Sequence, residues 1–234
     1  MARKPQKKEL RMKKIKACVF NAYGTLLDTY LPFEEHKDRL GEHALVIYKL
    51  WRAKRLQYSS QLSLMNRNAS YEKIRKYALD FACDVYGMKD ESVKEDLLKS
   101  HSELATFSDT TEALEALKNK KIMTAVLSNG APRSLTAALK TAEIDHLFDR
   151  VYSTEQLHSF KPAPIVYEFV EQQLGFPPSK IAFVSSNSWD VVGAVSYGFY
   201  SVWVNRYERT PERLPYVADV EIKSLSELDS VIDA

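Results

Sequence analysis

The chain has 234 residues, of which 45% are hydrophobic and 27% charged, with a formal net charge of +2. That composition excludes a disordered or collagen-like chain and leaves room for one substantial core plus a smaller second layer. A charge so near zero argues against a nucleic-acid partner, since much of the basic excess sits in the opening MARKPQKKELRMKKIK.

Residues 1–14 read as a solvated basic tail, with neither the apolar core of a secretory signal nor the serine-rich pattern of a transit peptide. No window approaches the roughly 18 apolar residues of a membrane span. Cys18 and Cys83 are far apart and form neither a C-x-x-C pair nor a disulfide framework, which fits a reducing cytoplasm.

The first element is a buried strand, IKACVF at 15–20, and NAYGTLLD turns the chain out of it. From about residue 33 to 105 the pattern is helical. EHALVIYKLWRAKRLQYSSQLSLM spaces its apolar residues at three and four, as does YEKIRKYALDFACDVYG before Gly87, a glycine suited to the C′ position. Strand and helix then alternate. DTTEALEALKNK opens on capping residues, KIMTAVLSNG is a strand ending in a polar turn, and APRSLTAALKTAEI is a helix. FDRVYST makes a short strand. KPAPIVYEFVEQQLG is a helix from prolines to Gly175, followed by strand KIAFVSSN, helix SWDVVGAVSYG, strand YSVWVNR, and a closing strand and helix in VEIKSLSELDSVI. Helices between strands imply a parallel sheet covered on both faces. The expected architecture is a doubly wound, Rossmann-like α/β core, 15–30 and 106–234, interrupted by an all-helical cap at 31–105.

In an open parallel sheet, ligands bind beyond the carboxyl ends of the strands. Polar residues stand at those exits: Asn21, Tyr23 and Thr25; Ser128 and Asn129; Lys161; and Ser185, Ser186, Asn187 and Asp190. Singly, each has a structural explanation as a cap, a dipole complement or a solvated lysine. Jointly they do not, because capping requires no lysine and aspartate converging from separate loops on one polar turn.

The ordered set VFNAYGTLLD, LSNGAP, SFKPAPIVYEF and FVSSNSWDVVGA resembles the haloacid dehalogenase superfamily. The cap segment LWRAKRLQYSSQLSLMNR and the string SSNSWD narrow the resemblance to the (S)-2-haloacid dehalogenases. In the phosphatase branches a second acid stands two residues after the first and Mg²⁺ is held nearby. Here Tyr23 removes that acid and Asn21 offers a metal no carboxylate, which argues against a phosphatase.

The resemblance implies a reaction without cofactor or metal: a carboxylate at position 21 displaces halide from a short (S)-2-haloalkanoic acid, and water hydrolyses the resulting ester to an (R)-2-hydroxy acid. It further implies that Lys161 pairs with the nucleophile, Thr25 and Ser185 orient it, and Asp190 with Asn187 handles the water. Ser128, Asn129 and the backbone amides of Ala22 and Tyr23 would hold the substrate carboxylate, and Arg52, Asn187 and Trp189 would receive the halide. Leu56, Met65, Tyr71 and Trp189 would exclude water, with Tyr167 hydrogen-bonded inside the network. For Leu56, Met65 and Tyr71 plain cap packing is an equal reading, since apolar spacing does not separate core from pocket. The expected partners are a 2-halocarboxylate, the departing halide and a second copy of the chain.

Asn21 breaks this scheme. An amide carries no charge and attacks alkyl carbon poorly, and loss of a nucleophile costs on the order of 10⁶ in rate, about 8 kcal/mol of barrier. Two readings stay open: an asparagine put in place of the aspartate, or a relative that has lost catalysis and binds small carboxylates. The completeness of the remaining set favours the first, because a chain released from catalysis has no physical need for a water-positioning acid.

Overall fold

A computed structural model of the chain describes residues 13–67 and 69–234. Of the tail expected over residues 1–14, residues 1–12 lie outside the described residues. Lys13–Lys14 form a short strand, β1, paired in parallel with β8, Ile232–Asp233.

The central sheet has six strands, all parallel, in the order β4-β3-β2-β5-β6-β7. These are β2 (Ala17–Phe20), β3 (Met123–Ser128), β4 (Arg150–Ser153), β5 (Ile181–Ser185), β6 (Tyr200–Val204) and β7 (Val220–Ile222). Strands β2, β5 and β6 are buried along their whole length, as short apolar runs in a sheet covered on both faces must be. The covering helices are α6 (Thr110–Asn119), α7 (Pro132–Thr141), α8 (Pro164–Leu174) and α9 (Ser188–Tyr197). One core layer gathers Phe20, Leu114, Leu135 and Val184, and the layer on the other face gathers Val19, Tyr167, Phe183 and Val170.

Between β2 and α6 a block of helices forms the inserted cap: α1 (Leu31–Glu35), α2 (Lys37–Leu40), α3 (Ala44–Leu64), α4 (Tyr71–Val85) and α5 (Glu91–Lys99). Its own core packs Phe33, Ile47, Trp51, Ala78, Leu79 and Leu97. Local chemistry sets the boundaries. The Ser70 hydroxyl and Asp90 carboxylate accept the orphan amides that open α4 and α5, and Gly87 follows α4 with φ +68°.

Two local readings change. Asp109, expected to cap α6, makes no side-chain cap; its carboxylate accepts from Arg206, Ser224 and the Leu225 amide instead. The closing helix is a 3₁₀ segment, Leu225–Ser230, opened by a Ser224–Glu227 capping box.

The chain runs from β2 outward through β3 to β4, then returns to the other side of β2 at β5. The topological switch therefore lies at β2 and β5, where a crevice opens beyond the strand ends.

Candidate active site

Asn21 follows β2 directly, with its amide N–H bonded to the Val184 carbonyl of β5 at 3.0 Å. Its side chain is fixed at both ends. Nδ2 donates to the Tyr23 carbonyl at 2.9 Å and to Thr25 Oγ1 at 3.0 Å, while Oδ1 accepts from Lys161 Nζ at 3.0 Å. Thr25 Oγ1 also accepts from the Ser186 amide at 2.9 Å, tying the loop after β2 to the loop after β5.

Lys161 comes from the loop between β4 and α8 and is only 1% exposed, so it is not a solvated residue before a proline. All three of its donors are used: on Asn21 Oδ1, on the Leu127 carbonyl at 3.0 Å, and on Asp190 Oδ2 at 2.6 Å. Asp190, in the first turn of α9 and fully buried, also accepts from Tyr167 Oη at 3.0 Å and Ser185 Oγ at 3.3 Å. Burial pushes the Asp190 carboxyl up and the Lys161 ammonium down from their ordinary values, and each charge opposes the shift of the other.

The donor set does not fit a divalent cation. The position between the residue after β2 and the acid of α9 is held by an ammonium, and Asn21 is a neutral ligand where the ion would need charge. Among the described residues no group of three or more His, Cys, Asp and Glu side chains is placed to hold a metal.

A cavity of about 720 Å³ opens above these strand ends, between core and cap. Asn21, Tyr23, Ser128, Asn129, Lys161, Asn187 and Trp189 line it from the core, and Arg52, Leu56 and Tyr71 from the cap. Arg52 Nη2 reaches Asn187 Oδ1 at 2.6 Å, a bond from α3 of the cap to the N-terminus of α9. Thr25, Ser185, Asp190 and Tyr167 lie beneath this surface, bonded to Asn21 or to one another, and Ala22 is buried in the core. Met65 does not join them. It follows the last turn of α3, is 60% exposed and is absent from the lining.

Asn129 does more than line the cavity. Its Oδ1 accepts from the Lys161 backbone amide at 2.9 Å and Thr154 Oγ1 at 3.2 Å, so it holds the Lys161 loop in place. The next helix, α7, has no side-chain cap, so the Ser128-Asn129-Gly130 turn is not spent on capping. Two residues escaped the sequence reading. Gly193 of α9 has no room for a side chain: a Cβ would lie 2.5 Å from Tyr167 Oη and 2.6 Å from Pro162 Cβ, so glycine is what lets Tyr167 reach Asp190. Gly130 likewise gives way to the Tyr23 ring, 2.7 Å from where its Cβ would be. A glycine in a helix or a turn carries no mark of the side chain that will approach it.

A doubly wound sheet, a helical cap inserted after its first central strand, and a lysine–aspartate pair at the strand ends define a cap-bearing, Rossmann-like α/β protein with a charged site beneath its cap. The haloacid dehalogenase-like hydrolase profile matches residues 15–198. The chain is 38% identical over 215 residues to (S)-2-haloacid dehalogenase 4A of Burkholderia cepacia, covering 92% of this chain and 93% of that one. A dehalogenase solved as an intermediate complex superposes with a TM-score of 0.92 at 36% identity, covering 96% of this chain and all of that one. The L-2-haloacid dehalogenase of Xanthobacter autotrophicus with chloropropionic acid covalently bound gives 0.85 at 31% identity, over 93% of this chain and 98% of that one. The chain belongs to the haloacid dehalogenase superfamily, in its (S)-2-haloacid dehalogenase branch. Asn21 occupies the position of the family's catalytic aspartate.

Proposed function

We propose that this site is built to hydrolyse short (S)-2-haloalkanoic acids to (R)-2-hydroxy acids, and that Asn21 impairs it at the first step. The observation that carries the reading is the Lys161 ammonium, held by Asp190 and the Leu127 carbonyl against the side chain of residue 21.

With an aspartate at position 21, Lys161 would stabilise the carboxylate and Thr25 would turn its hydroxyl from acceptor to donor. The carboxylate oxygen attacks the carbon bearing the halogen from the side opposite the halide; a C–O bond forms as the C–halogen bond breaks. Arg52, Asn187 and Trp189 line the cavity, with Arg52 bonded to Asn187, and would receive the departing anion, stabilising charge that develops in the transition state. Ser128 and the turn at Ala22 and Tyr23 would hold the substrate carboxylate, and Leu56, Tyr71 and Trp189 would limit bulk water. Asp190, with Asn187, would position the water that adds to the ester carbonyl and so releases the hydroxy acid. Ser185 and Tyr167 fix Asp190 in turn.

Asn21→Asp supplied with (S)-2-chloropropionate in EDTA is expected to release chloride at a rate on the order of 10⁶ above the parent chain. A folded variant that releases none overturns the reading, as does one that instead hydrolyses a generic phosphate ester with Mg²⁺.

We further infer a homodimer in a reducing cytoplasm. Leu45, Val46, Tyr77, Phe81 and Val85 are exposed on cap helices α3 and α4, and both cysteines are free and buried. Light scattering behind a sizing column should give twice the chain mass; the mass of one chain contradicts it.

A further inference from the structure

The cavity is larger than displacement at a C2–C3 haloacid requires. Its volume of about 720 Å³ is in the range that encloses drug-sized ligands, whereas such an acid has only a handful of non-hydrogen atoms. Its charge is equally one-sided. Among the described residues no Asp or Glu lines it, while Lys49, Arg52, Arg55, Lys161 and Arg209 all do. Lys49 and Arg209 are exposed; Lys161 and Arg52 are engaged as described above.

Arg55 is different. It stands one turn after Arg52 on the same face of α3, is 7% exposed, and makes no ion pair among the described residues. Its guanidinium lies 4.3 Å over the Trp51 ring, and Nη1 donates to His101 Nε2 at 3.0 Å. Behind it, Arg75 of α4 is buried too; Nη2 donates to the Leu98 carbonyl and Nε has no partner among the described residues. Glu72, an acid whose field reaches Arg75, is on the exposed side, accepting from Ser134 Oγ at 2.7 Å. Two buried guanidiniums that repel each other are costly unless an anion joins them.

Two uncharged donors beside this pair are also unpaired among the described residues. His101 accepts from Arg55 through Nε2, so its proton is on Nδ1, which has no partner. Its ring stacks on Tyr23 at 5.3 Å and 17°, and the buried Tyr23 hydroxyl also lacks a partner. Tyr23 stands two residues from the nucleophile position, which places this cluster beside the reaction site and not elsewhere in the cap.

We propose that Arg55, backed by Arg75 and flanked by the Tyr23 hydroxyl, forms a second anion subsite, and that the favoured substrate is a 2-halo acid carrying a second carboxylate. This rests on the dehalogenase reading above. One carboxylate would lie at the Ser128 turn, with the carbon bearing the halogen at residue 21 and the second carboxylate at Arg55.

The chain as it stands tests this without turnover. In calorimetric titrations, (S)-2-chlorosuccinate is expected to bind at least about tenfold tighter than (S)-2-chloropropionate. Arg55→Gln should remove that preference, and Arg55→Lys, which keeps the charge, should retain part of it. Equal affinity of the two acids overturns the proposal, as does an equal loss for both acids in a folded Arg55→Gln chain. Chloride release by Asn21→Asp separates the two claims: activity on chloropropionate with no preference for chlorosuccinate sinks the subsite alone, and tight chlorosuccinate binding with no chloride from either acid sinks the dehalogenase reading.

Discussion

At Asn21 the amide is well accommodated and chemically wrong for displacement. Its Nδ2 lies 2.9 Å from the Tyr23 carbonyl, a place where a carboxylate oxygen would meet another oxygen. An aspartate there would draw off that carbonyl and keep Lys161 and Thr25, which the amide already touches, as its donors. Lys161 is the residue whose loss is most informative for stability. Lys161→Met leaves the fully buried Asp190 without its cation, and urea unfolding at pH 7 should show a loss of about 3–5 kcal/mol. The pH dependence has a definite sign. Burial raises the Asp190 pKa and the Lys161 ammonium opposes that rise, so without the ammonium the carboxylate is costlier still, and the variant's deficit should shrink toward pH 4 and grow as pH rises. A deficit independent of pH would contradict this account of the pair. Asn21, Thr25, Lys161, Ser185 and Asp190 were legible in the sequence because they follow strand exits, whereas Tyr167, inside α8, came only from the family resemblance. The exposure of Met65 was not, since a helical apolar residue looks the same whether it faces a pocket, a core or solvent.

Two elements carry consequences of their own. In α9, replacing an interior glycine by alanine ordinarily stabilises a helix by up to about 1 kcal/mol. Gly193→Ala is expected to reverse that sign, with a loss of about 1–3 kcal/mol by chemical denaturation, because the new Cβ collides with Tyr167 and Pro162. A stabilised variant would show that Tyr167 is not held against α9 as described. The other element is the junction of α3 and α4 with the 3₁₀ turn Ser100–Ser102, where Arg55, Arg75 and Tyr23 face His101. Burial, with the two arginines adding to it, holds the His101 pKa well below that of a free histidine. A depressed pKa contributes stability that is present above the unfolded value, about 6.5, and lost as pH falls below it. The slope of unfolding free energy between pH 7 and 5 should therefore flatten in His101→Gln; an unchanged slope places the titrating group elsewhere. Neither Arg55 nor Arg75 stood out in the sequence. On an amphipathic helix an arginine reads as a solvated face, and only tertiary packing shows that it is buried without an acid.

For the molecule as a whole, the alternation of strands and helices and the single helical interruption were enough to foresee a doubly wound core with an inserted cap, and the strand order puts the crevice where that topology requires it. What the chain order does not contain is the closure between the two parts. Arg52 and Asn187 are 135 positions apart, and their 2.6 Å bond exists only because α3 lies over the N-terminus of α9. The cavity, its charge and its size are products of that arrangement.

The central claim is that residue 21 is the atom donor in the reaction this site performs. It is tested most directly by one turnover of Asn21→Asp, in excess over (S)-2-chloropropionate, in ¹⁸O-water. If an aspartyl ester forms and water attacks its acyl carbon, the peptide containing residue 21 gains the label and the first hydroxy acid released is unlabelled. Label in the hydroxy acid with none in that peptide would mean that water attacks the substrate directly, and would contradict the account.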